Sequence, residues 1–201
     1  MKPLTRRATA EYRRATPSQV GTGRRWYPDA HEVARDQAAE HGVTIEVASG
    51  ILAALSPRMG WGMNVTLAER VLYTKGTLDH GCLSRSLEHA NAIYHGAAPL
   101  EVLRGPKTRA FYLAILTEGD SPDPVIDRHA WDMLTATRGA PAPSIGQYRA
   151  AAECMRRAAR IVGERVHDLQ AIDWIAWRAR FWTPGVNDHR PQPTLEGARQ
   201  W

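Results

Sequence analysis

Apolar residues recur at helical spacing along most of the chain, and glycines and prolines punctuate that recurrence. From Pro28, the run PDAHEVARDQAAEHG places a proline and an aspartate at a helix start, alanines at helical spacing and a stop at Gly42, which predicts a helix over 29–40. Thr44 is placed to cap a second helix that runs through IEVASGILAAL to Ser56-Pro57, and its apolar content predicts burial. After the turn SPRMGWG, residues 64–72 form a third predicted helix with Val65, Ala68 and Leu72 on one face. Residues 73–82 read as a loop, SLEHANAIYHG as a helix ended by Gly96, and 99–103 as the start of a short helix.

The second half repeats this grammar. Gly105 and Pro106 open RGPKTRAFYLAIL, in which Phe111, Leu113, Ala114 and Leu116 predict a largely buried helix. TEGDSPDP is a polar loop, and helix resumes over 125–136. A loop with Gly139, Pro141 and Pro143 precedes a regular helix over 144–162. DLQAIDWIAWRARFW then gives a last helix whose core-facing set is Leu169, Ile172, Ile175, Ala176 and Trp177. No segment alternates as a strand does, so the expected fold is all-α.

Composition places limits on this picture. A chain of 201 residues builds one core or two small lobes sharing a cleft. Residues 1–27 form a basic segment with seven arginines and lysines in the first 25 positions, read as an arm; 28–183 are the helical domain; 184–201 are a polar tail. The net charge of +5 is compatible with a polyanionic partner and equally with ordinary solubility. Cys82 and Cys154 stand alone in their segments, which excludes a disulfide scaffold and a cysteine-rich metal cluster and fits a reduced, cytoplasmic setting. The start MKPLTRRATAEYRR lacks the apolar stretch of a secretory signal, and no run of apolar residues is long enough for a membrane span. The eight histidines show no metal-ligand spacing, so no metal and no cofactor is expected.

One stretch carries chemistry. Gly105-Pro106-Lys107-Thr108, a helix over 109–116, a loop to Pro124, and Val125-Ile126-Asp127-Arg128-His129 follow one another in order. This succession resembles the core of the helix-hairpin-helix DNA glycosylase superfamily, the endonuclease III-like group, and fits a divergent or viral member. Residues 52–72 resemble, more weakly, the family's early helix-turn-helix segment. The resemblance covers residues 28–182 and implies a helix-hairpin-helix DNA glycosylase-like fold with duplex DNA, its target base flipped out, as partner. The chain departs from the pattern in two places. Val102-Leu103-Arg104-Gly105 retains only the second hairpin glycine, and the four-cysteine iron-sulfur loop of some members is absent. Leucine in place of the first glycine is expected to distort the phosphate-binding version of the turn.

The resemblance assigns Lys107 as the amine that attacks the sugar C1′ carbon, and Asp127 as the carboxylate that stabilises positive charge as the glycosidic bond breaks or orients the nucleophile. Arg104 and Arg109 are candidate positive neighbours of Lys107, and with Gly105 and Thr108 they form the expected DNA-binding hairpin. In the turn after Ser56, Trp61 either stacks on a base or completes the core. Arg58 reaches a phosphate or base edge, and Asn64 either reads the target or caps the next helix. His129 is expected to support the aspartate loop. Simpler roles stand beside these: Lys107 as a solvated charge or phosphate contact, and Asp127 as the N-cap of the helix that follows it. Three functions remain open: base excision, with or without strand cleavage; hypermodification of a DNA pyrimidine by an enzyme of the same fold; and a non-catalytic DNA-binding or interaction module.

Overall fold

A computed structural model describes residues 2–181, and among these it holds ten helices and no strand. They are α1 (Lys2–Tyr12), α2 (Pro17–His41), α3 (Ile45–Leu55), α4 (Trp61–Tyr73), α5 (Ser84–Tyr94), α6 (Pro99–Val102), α7 (Pro106–Leu116), α8 (Arg128–Thr135), α9 (Ile145–Val162) and α10 (Val166–Phe181). The fold is all-α. No helix of the described residues is long and apolar enough to cross a membrane. The polar tail expected over 184–201 lies outside the described residues.

The described residues divide into two compact units: 29–116 belong to one, and 2–28 with 117–181 to the other. The 29–116 unit is built around α3, in which every residue from Ala48 to Leu55 is buried, with α4, α5, α6 and α7 packed on it. The helix begins where expected because the Thr44 hydroxyl accepts the Val47 N–H. In the other unit α1, α8, α9 and α10 share a core that includes Trp131, Leu134, Tyr148, Met155, Leu169 and Trp177. α9 is fixed at its start by a capping box, Ser144 with Gln147, and stopped by Gly163 at φ +78°.

Residues 2–27 of the basic segment are a folded part of their unit rather than an arm. Thr5, Ala8, Thr9 and Glu11 are buried on one face of α1. Tyr12 donates to Glu164, Arg24 pairs with the same carboxylate at 2.6 Å, and Arg7 donates to the Leu134 carbonyl at 2.7 Å. This buried face is made of small and polar side chains, so hydropathy does not mark it. α2 likewise begins twelve residues before the expected start and carries Pro28 in its interior. An interior proline costs about 3 kcal/mol relative to alanine. Packing against α10 just before the proline offsets that cost: Tyr27 is buried and donates to Gln170 at 2.8 Å, and Trp26 meets Trp174 edge to face. A Cβ on Gly23 would lie 2.7 Å from the Ile172 nitrogen, so glycine is what allows α2 and α10 to approach so closely.

Candidate functional site

In the 29–116 unit, α6 and α7 form the hairpin that carries Lys107. Leu103 has φ −79° and ψ 77°, and the Arg104 N–H donates to the Val102 carbonyl at 3.0 Å, which makes an inverse γ-turn. Leu103 carries no backbone strain here, because a negative φ suits leucine as well as glycine, and its side chain is buried. The Gly105 carbonyl accepts both the Arg109 N–H and the Thr108 hydroxyl, closing the first turn of α7. Arg104 and Arg109 turn back onto α6, donating to the carbonyls of Glu101 and Leu100. Their guanidinium groups tie the hairpin together and retain further N–H donors.

Lys107, half-buried, donates from Nζ to Ser56 Oγ at 2.8 Å and lies 5.3 Å from the centroid of the Phe111 ring. Ser56 in turn donates to the Ala53 carbonyl at 2.9 Å, so its lone pair, not its proton, faces the amine. Trp61 packs edge to face on Phe111 at 6.2 Å and is half-buried. The hairpin and the 56–61 turn thus meet around one amine. Arg58 is exposed and sits at φ +59°, a left-handed conformation that costs a non-glycine residue about 1–2 kcal/mol. Asn64 is buried inside α4 and donates to the Leu52 carbonyl at 3.0 Å; Gly60, not Asn64, is the N-cap of α4.

Asp127 belongs to the other unit, where it is the N-cap of α8. Its Oδ1 accepts the Ala130 N–H at 2.8 Å. The chain before it is pinned by Tyr148, whose hydroxyl accepts the Ile126 N–H and donates to the Pro124 carbonyl, both at 3.2 Å. Burial pushes the Tyr148 phenol up to about 12, which keeps it in the protonated form that donates. Around Asp127 stand three groups of unlike chemistry. His129 is half-buried, its ring 6.1 Å from Trp174; burial lowers its pKa, against the opposing pull of the Asp127 carboxylate. Arg178 lies 4.0 Å over the Trp174 ring, and burial brings its guanidinium down to about 10 while Asp127 acts to hold its charge. Tyr27 is raised well above its ordinary value by burial, and next by Asp127.

The N-cap bond gives the Asp127 carboxylate a fixed orientation, while the nearby Arg178 guanidinium offsets part of its negative charge. The sequence singled out Asp127 and His129 but missed Trp174 and Arg178, although their i, i+4 spacing on α10 carried a usable signal. It also missed Ser56 and Phe111 as partners of Lys107. Phe111 is i+4 from Lys107 and was legible in the same way, whereas Ser56 is not local to it. Among the described residues no group of three or more histidine, cysteine, aspartate or glutamate side chains is placed to hold a metal ion.

No curated protein and no solved structure matches the chain. Residues 1–181 match the family model described as a family of unknown function, DUF7178, and the chain belongs to that family.

Proposed function

We propose that the protein is a DNA glycosylase that excises a modified or mismatched base, on a helix-hairpin-helix glycosylase-like fold. The observation that supports this reading is the contact of the hairpin with the 56–61 turn, where Lys107 Nζ is held 2.8 Å from Ser56 Oγ beside Phe111 and Trp61. A primary amine at the start of a helix, beside a phenyl ring on which a half-buried tryptophan packs, suits attack on a sugar whose base has left the stack.

In the proposed reaction the Lys107 nitrogen bonds to C1′ as the bond from C1′ to the base breaks. The base leaves with that electron pair and takes up a proton. The lysine adduct then loses a proton from nitrogen, whose lone pair forms the C1′=N bond of a Schiff base as the C1′–O4′ bond breaks and O4′ takes up a proton. Stabilising positive charge on the sugar is the role that the resemblance gives Asp127, whose Oδ1 accepts the Ala130 N–H.

Borohydride trapping tests this with duplexes that each contain one damaged or mismatched base. The wild-type chain is expected to form a covalent adduct with at least one duplex, and the Lys107→Ala variant with none. Tight binding with neither adduct nor base release across the panel would overturn the reading.

A further inference from the structure

α1 is more basic than its packing requires: residues 2–14 carry Lys2, Arg6, Arg7, Arg13 and Arg14 against the single acid Glu11. Beside it lies an open hollow of about 440 Å³ whose wall includes Arg6, Arg7, Arg14, Arg180, Glu11 and Trp177. Glu11 is buried, and its Oε2 holds Arg180 at 2.6 Å and Arg14 at 3.6 Å, while Oε1 has no hydrogen-bond partner. One carboxylate therefore orients two guanidinium groups through a single oxygen. Each guanidinium has five N–H donors, so most of those on Arg14 and Arg180 remain for a ligand. Arg6 makes no ion pair among the described residues. Four guanidinium groups around one carboxylate leave an excess of positive charge that an anion would neutralise, and paired N–H donors match the oxygens of a phosphate.

A second hollow, of about 330 Å³, is lined by Lys2, Arg6 and Arg157. Arg6 borders both hollows, so the cationic surface continues along α1 and suits a ligand with repeated anionic groups better than one with a single anion.

We infer that this face of α1 is a binding site for the backbone phosphates of a nucleic acid, separate from the hairpin that carries Lys107. The site shares with the proposed function the assumption of a DNA partner, but it needs no chemistry at Lys107.

The test is the salt dependence of binding to a fluorescent duplex without any modified base, measured for the full chain and for an Arg6→Gln, Arg14→Gln double variant. Losing two phosphate contacts is expected to reduce the slope of log affinity against log salt by about 1.8, at roughly 0.9 per contact. The charge-preserving pair Arg6→Lys, Arg14→Lys is expected to restore most of that slope, and thermal melting identifies a variant that has simply failed to fold. An unchanged slope in the folded glutamine variant overturns the inference. So does inorganic phosphate that raises the melting temperature of the wild type but not of the variant while the duplex slope stays the same, because the site then takes free phosphate. A reduced slope with neither borohydride adduct nor base release leaves this site standing and removes the glycosylase reading; an adduct with an unchanged slope does the reverse.

Discussion

Lys107 and Asp127 both stand at the start of a helix, the first inside the opening turn of α7 and the second as the N-cap of α8, yet they are held in different ways. The Asp127 carboxylate is fixed by a backbone N–H three residues ahead, with the chain before it pinned through Tyr148. The Lys107 amine is fixed by the side chain of Ser56, fifty-one positions away in sequence. A cap is set by the chain that bears it. A contact between two side chains on different elements exists only if both elements arrive. The carboxylate should therefore tolerate changes elsewhere in the fold, and the amine should answer to changes in the 56–61 turn.

The sharpest separation is expected at Asp127. Asparagine caps a helix about as well as aspartate, so Asp127→Asn should melt close to the wild type, while loss of the charge should lower base release by roughly 10²–10³-fold. Comparable melting and comparable turnover would show that Asp127 is a cap and nothing more.

The loop that leads to Asp127 can be challenged with acid. His167 is buried, with Nε2 2.9 Å from Ser121 Oγ, and burial brings its pKa from 6.5 down to about 4. Between these values the unfolded chain binds a proton that the folded chain refuses. Stability is therefore intact above about pH 6.5 and declines as the pH falls towards 4, by roughly 3 kcal/mol at the lower end. Denaturant melts across this range should show the decline in the wild type and a shallower one in His167→Gln.

On the lysine side, Ser56→Ala removes the acceptor of the Lys107 N–H. It is expected to cost about 1–2 kcal/mol in stability and to lower the yield of borohydride adduct at fixed pH, with duplex affinity unchanged. An unaltered yield would mean that the Ser56 contact does not set the position of the amine. The smallest effect belongs to Arg58. Glycine adopts the left-handed conformation without penalty, so Arg58→Gly should raise stability by about 1 kcal/mol, and weakened duplex binding in the same variant would identify what the strained conformation serves.

Much of the helical order was legible because it is written locally. Thr44 and Ser144 announce α3 and α9, and Gly96 and Gly163 stop the helices before them. Asp127 was recognisable as a cap on the same grounds. What misled was equally local. Pro28 reads as a helix start and lies inside α2. The buried face of α1 is made of Thr5, Ala8, Thr9 and Glu11, which carry almost no hydrophobic signal, so a folded helix was read as an arm.

The sequence by itself determined the all-α class, most helix boundaries and the cap at Asp127, because each depends on hydrogen bonds and backbone conformation within a few residues. Tertiary structure decided the rest: that α2 continues through Pro28, that α1 lies against α8, α9 and α10, that Trp174 and Arg178 stand near Asp127, and that Ser56 meets Lys107. Each of these depends on contacts between residues far apart in the chain, whose energy compensates a local cost or favours one of several local choices, and spacing along a sequence does not encode such distances.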